Sequence, residues 1–359
     1  MKKLVLIICF TIIVSLLFGC VFRQNSEQPA ASSGAGASPS ASAGLEVPKV
    51  VDYFPARENV RYVYQGDGNE YASYDVYTDY SSTSKIQQRI NNGGTELVQV
   101  IELSNGKAAC VFSREECYYR ENFLDKTDGS EEILMLEPIT AGTSWKLNDG
   151  SVRTINGIDV GIDTPSGSYS AVAVETIYAD GGSMTDYYAR GIGLVKTVSK
   201  GEGYTVNSSL SEIQENAEFS QSVRFYYPGE NDVVLYFRDR ELSFKTNDVT
   251  CSVIESAYKE RFENQPGRVF PENADINSLY LNDDGTVCLD LDKDFINEMN
   301  TGAAGEMLIL QCLANTFGSY YGSDKLILTI DNGLYESGHI RLEKGQVLSV
   351  KTEGSAEIS

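Results

Sequence analysis

Chemistry in this chain would have to start from its carboxylates. The 359 residues include 51 Asp and Glu against 29 Lys and Arg, with a single histidine. Asp290, Asp292 and Asp294 recur at every second position, as at the start of a calcium loop. Such a loop needs Gly at its sixth position and Glu at its twelfth. Phe295 and Thr301 stand there instead, so Asp292 reads as the cap of a following helix. Glycoside cleavage needs two carboxyls across a cleft; the 51 acidic residues offer many pairs and the sequence singles out none, with Asp290 and Glu306 the pair to name. His339 alone cannot build a histidine metal cluster, and any triad or dyad would have to rest on it. Gly-x-Ser-x-Gly, Gly-x-Gly-x-x-Gly and the phosphate-binding Gly-Lys-Ser/Thr are absent. The expectation is therefore no catalytic residue, no cofactor and no metal.

The thiols fall into two groups. Of seven cysteines, Cys9 and Cys20 lie in the leading stretch, which leaves five. An odd number without a C-x-x-C pair argues against a disulfide framework and a zinc site. Cys110 and Cys117 would face each other if a hairpin turned at Ser113-Arg114, so both the bonded and the free state are open there. Cys251, Cys288 and Cys312 sit on apolar patterns as small core residues. Cys20 is of another kind. Lys2 and Lys3 precede an apolar run over residues 4–18, and Gly19 closes it. A charged start, an apolar core and a small residue at the cut describe a secretory signal, and the run is shorter than the ~20 residues of a spanning helix. Leu17-Phe18-Gly19-Cys20 resembles the lipobox of bacterial lipoproteins, with Phe18 bulkier than the usual occupant. That resemblance implies a signal peptide over residues 1–19, a diacylglyceryl thioether on Cys20, and a chain held on the extracytoplasmic face of the cell membrane. Two acyl chains suffice for stable anchoring where one does not. An uncleaved N-terminal anchor is the alternative.

Loss of residues 1–19 removes Lys2 and Lys3 and takes the formal charge from −22 to −24. So acidic a chain repels phosphate backbones, which excludes nucleic acid as a partner. It repels anionic lipid heads as well, so membrane contact should come through the lipid on Cys20.

Residues 20–44 are rich in Ala, Ser, Gly, Pro and Gln without an apolar period and read as a flexible linker. Residues 45–210 read as all-β: short β-branched and aromatic runs, one of them at residues 117–121, separated by turn pairs such as Asn105-Gly106 and Asn156-Gly157. The expected fold is an antiparallel barrel or sandwich with Trp145 in its core. The tyrosines read as fitting half-buried pleats, with stacking on sugars or partner side chains as the functional option. Polar residues 211–220 mark the domain boundary. Residues 221–345 change character. Strands are expected at 221–227, 233–237 and 242–245, then a helix capped by Asn247 and ended by Pro266-Gly267. A hairpin turns at residues 282–285, and a short helix follows at 293–299. The next helix has Ala303, Met307, Leu310, Ala314 and Phe317 on one face. A strand at 326–330 precedes the turn Asp331-Asn332-Gly333, and residues 346–359 read as a tail. This succession predicts an α+β domain with helices on one sheet face.

Three stretches of this region resemble the GerMN domain of sporulation and spore germination proteins. They are Val223-Arg224-Phe225-Tyr226-Tyr227, the run from Val287 through Asp290 to Phe295, and the helix from Gly305 to Phe317 with the strand and turn after it. The resemblance implies an extracytoplasmic envelope protein, a fold similar to ring-building modules, and protein–protein contacts rather than catalysis. Two departures bear on a role in sporulation: founding proteins carry two such domains and this chain shows one, and the β domain lies outside the family pattern. The reading is a membrane-tethered, non-catalytic interaction module with envelope proteins as partners. The alternative is a peptidoglycan-binding or peptidoglycan-hydrolysing protein.

Overall fold

The computed structural model describes residues 47–230 and 233–358. The signal peptide, Cys20 and the linker all lie outside the described residues. After a 3-10 turn at Val50–Tyr53, twelve strands run in succession. They are β1 (Val60–Asp67), β2 (Tyr74–Ser81), β3 (Lys85–Asn91), β4 (Glu96–Ser104), β5 (Lys107–Glu115) and β6 (Glu132–Leu136), then β7 (Ser144–Lys146), β8 (Val152–Thr164), β9 (Gly167–Ile177), β10 (Ser183–Ala189), β11 (Gly193–Gly201) and β12 (Tyr204–Glu215). They form one 12-stranded antiparallel sheet in the order β6-β5-β4-β3-β2-β1-β12-β11-β10-β9-β8-β7. Most chain neighbours pair, several of them through tight turns. Asn105 and Gly106, with φ of 52° and 71°, make the β4–β5 turn, as Asn-Gly should. The long-range pairing of β1 with β12 curls the meander into a nearly closed barrel.

Side chains bridge the seam between the end strands β6 and β7. The Trp145 indole N–H donates to the Ile133 carbonyl at 3.0 Å, and Arg153 Nη1 donates to the same oxygen at 2.7 Å. Arg153 also pairs with Glu132. Trp145 packs with Met135, Ile155 and Val174 in the barrel core, where it was expected. Tyr62, Tyr64 and Tyr188 are buried, as half-buried pleats predict. Asp186 is buried with them; Thr197 Oγ1 donates to it at 2.6 Å, and burial raises its pKa.

Several expectations are corrected here. Residues 117–121 are loop, not strand: β5 runs through Ser113-Arg114 to Glu115, and Glu116 then turns with φ of 53°. With no hairpin at that place, Cys110 and Cys117 stay apart as free thiols. Burial pushes them up to about 12 and about 11. The polar run 211–215 belongs to β12, with Glu215 opposite Val60, because ladder hydrogen bonds do not depend on apolar side chains. The break falls after Asn216, whose φ is 55°.

The second half holds β13 (Phe219–Pro228), β14 (Leu235–Phe244), α1 (Thr250–Lys259), β15 (Ile276–Leu281), β16 (Val287–Leu291), α2 (Asp294–Asn297), α3 (Ala303–Tyr321), β17 (Lys325–Ile330), β18 (Gly333–Leu334), β19 (Val347–Ser349) and β20 (Ala356–Glu357). β14 is one strand where two were expected. Its polar centre stays paired because Arg224 and Asp239 meet across the ladder at 2.7 Å. Asn247 does not cap α1; its side chain accepts from Ser81 N at 2.8 Å, and the helix starts at Thr250 and stops at Lys259. α3 runs to Tyr321 and ends on Gly322 at φ 66°, the left-handed position that favours glycine. Met307 lies exposed on it, not on the buried face. Residues 346–359 are not a tail: β19 pairs with β17, and β20 lies parallel to β14. The parallel pair β16–β17 needs a crossover, and α2 and α3 supply it.

One hydrophobic core ignores the expected boundary. Val98, Val100, Phe112 and Phe123 of the first half join Phe225, Phe244, Leu313 and Phe317 of the second. Val47 to Ser359 accordingly form one compact unit.

Candidate functional site

The carboxylates singled out by spacing turn out to hold the fold. Asp290, nearly buried on β16, accepts from Asn332 N at 2.7 Å, Thr329 Oγ1 at 2.5 Å and Asn277 Nδ2 at 3.0 Å. It pins the turn after β17. Asp292 Oδ1 accepts from Phe295 N at 3.3 Å, the helix cap expected of it, and Asp294 accepts from Asn297 Nδ2 at 3.4 Å. Glu306 is buried in the first turn of α3 and accepts from Tyr335 OH at 2.7 Å, with His339 Nδ1 at 3.3 Å. Burial and the Glu306 charge both raise the Tyr335 pKa, so the phenol keeps its proton as a donor. Asp290 and Glu306 thus sit in separate networks. Among the described residues no group of three His, Cys, Asp or Glu is placed to hold a metal ion.

What the sequence reading missed is Arg120, in the loop after β5. Its side chain is 1% exposed. Nη1 donates to Tyr80 OH at 2.7 Å, to Thr250 Oγ1 at 2.9 Å and to the Asp248 carbonyl. Nη2 donates to the carbonyls of Asp79 at 2.7 Å and Lys245 at 3.1 Å. The guanidinium also lies 4.1 Å from the Tyr80 ring centroid. One hydroxyl, that of Tyr320 on α3, accepts from Arg120 N at 2.9 Å and faces Arg120 O at 3.2 Å. Arg89 holds the same loop from the barrel side. It donates to the Cys117 and Tyr119 carbonyls at 2.6 and 2.8 Å and pairs with Asp79 at 3.0 Å. The hint in the sequence was an arginine directly after two tyrosines.

These bonds fix loop 116–121 against β13 and the end of α3, and a groove of about 580 Å³ opens between them. Tyr118 and Tyr119 of the loop, residues 221–224 of β13, and Tyr320 and Tyr321 of α3 line it. Gln221 reaches across to the Tyr118 carbonyl. Arg224 and Asp239 are paired in two bonds of 2.7 Å at its rim. The volume of this aromatic cleft falls within the ~300–1,000 Å³ usual for ligand sites.

Parts of the chain have known counterparts. Residues 224–336 match the Germane family, described as sporulation and spore germination. This segment is a Germane domain. Its matched stretch begins at Arg224 on the groove and ends at Glu336, next to the Tyr335 that holds Glu306. The first GerMN domain of the sporulation protein GerM from Bacillus subtilis is similar at 23% identity, over 38% of this chain and 93% of that one, with a TM-score of 0.25. An exported protein with a YmcC-like fold from Bacteroides fragilis is similar at 14% identity, over 45% and 99%, with a TM-score of 0.31. A protein described as a lipoprotein from Clostridium perfringens is similar at 15% identity, over 37% and 87%, with a TM-score of 0.25. No curated protein matches the chain. No helix among the described residues is long and apolar enough to cross a membrane.

Proposed function

We propose that this protein is a non-catalytic interaction module, lipid-anchored through Cys20 on the outer face of the cell membrane, that binds envelope partners through its Germane domain and the loop packed on it. The observation that carries this reading is the groove, whose walls come from both halves of the chain and which two buried arginines hold open. The carboxylates that could have served hydrolysis support it, because internal donors occupy them. The family description supports a link to sporulation or germination.

The test is photo-crosslinking in intact cells from a reactive residue placed at Tyr118. A discrete crosslinked envelope protein is expected. The reading would be abandoned if purified protein released soluble fragments from peptidoglycan and Asp290→Asn or Glu306→Gln abolished that release. Retention on insoluble wall material without release would point instead to a wall binder.

A further inference from the structure

The geometry points to the open edge of β13 as a docking site for an extended, basic segment of a partner protein, which would join the sheet as an added strand. This rests on the reading that the protein works by binding partners, and it names the site and the chemistry of what binds. β13 is an end strand of its sheet, in the order β13-β14-β20. It pairs with β14 from Phe219↔Phe244 to Pro228↔Leu235 without a register shift. In such a ladder alternate residues turn both backbone groups to the same side. Tyr226 fixes the phase: its N–H donates to Thr316 Oγ1 at 3.0 Å and its carbonyl accepts from Tyr258 OH. Both groups therefore face away from β14. Arg224 and Ser222 share that phase, so their N–H and C=O groups also point outward, beyond the stretch that helix side chains cover. Four consecutive residues, 221–224, line the groove. Side chains alternate between faces, so the wall they make is the strand's edge rather than one face of it.

An unpaired edge is a template for another strand. At ~3.3 Å per residue the open stretch offers roughly 13 Å, room for about four residues of partner. The charges favour a basic one. Arg224 is neutralised by Asp239, while Glu116 stands exposed beside the groove. The Tyr118 ring, 52% exposed, offers a face to Lys or Arg. The formal charge of −22 steers cations toward the surface.

The experiment uses the full-length chain and a capped octapeptide of alternating lysine and valine as probe. Binding is expected to slow amide exchange at Ser222 and Arg224 and to leave Gln221 and Val223, already in the β14 ladder, unchanged. Ser222→Pro removes one outward N–H and no ladder bond, a place where an edge strand tolerates proline. It should weaken binding roughly tenfold, the loss of about one backbone hydrogen bond. Glu116→Gln, at an exposed site, should weaken binding and flatten its salt dependence with the fold intact. The inference is overturned if saturating peptide leaves exchange at Ser222 and Arg224 unchanged, or if a soluble peptidoglycan fragment protects those amides and the peptide does not. A crosslinked partner with unprotected amides would remove the docking site and leave the broader reading standing. Amide protection with no crosslinked neighbour would do the reverse.

Discussion

Arg120 brings its guanidinium to five acceptors, three of them backbone carbonyls from different parts of the chain. Buried groups of this kind are costly when stripped of a partner. Arg120→Met should therefore lower stability by about 3–5 kcal/mol, the usual cost of breaking a buried charged cluster, measured as a shift of the urea midpoint. Asp186 acts with the opposite sign. Its folded pKa is raised by burial, so the folded chain holds that proton more tightly than the unfolded one. That contribution is complete below the ordinary carboxylate value of about 3.9 and is lost as pH rises through the raised folded value. Asp186→Asn should then stabilise the protein at pH 7 relative to wild type and change little at pH 3, read by thermal unfolding at both. Asparagine keeps an acceptor for Thr197, so the comparison isolates the charge.

Among the elements, the barrel seam is the place to probe. β6 and β7 are the ends of the sheet, and Trp145 and Arg153 meet at the Ile133 carbonyl across the gap. Arg153→Leu should speed amide exchange in both end strands and red-shift the emission of Trp145, while β9 and β10, paired on both sides, keep their protection. Unchanged exchange in β6 would mean that packing alone closes the barrel. The strands themselves were legible in the sequence, because alternation and Asn-Gly turns are local signals. Loop 116–121 was not. Cys117 and Tyr119 are as buried as strand residues, and burial by a long-range arginine network leaves the same apolar pattern as a strand.

For the whole molecule, one core shared by both halves predicts one cooperative transition, with Trp145 fluorescence and far-UV circular dichroism coincident in denaturant. Two separated transitions would show that the halves fold independently. Anchoring belongs to this scale as well. Cys20→Ala should release the protein from the membrane pellet with an unchanged circular dichroism spectrum, since none of the described core involves that residue. Continued pelleting with normal signal cleavage would contradict the lipid reading.

The amino-acid sequence alone determined most of the strands and helices, the acidic composition and the GerMN resemblance, because each is written in residues close together in the chain. Only the tertiary structure decided that the two halves share a core, that β19 and β20 join the two smaller of the three sheets, and that β13 ends its sheet beside a groove lined by tyrosines. Those features join residues far apart, as Arg120 joins Asp248 across 128 positions. No local pattern of polarity encodes such a meeting, which arises only when packing and buried hydrogen bonding are satisfied together.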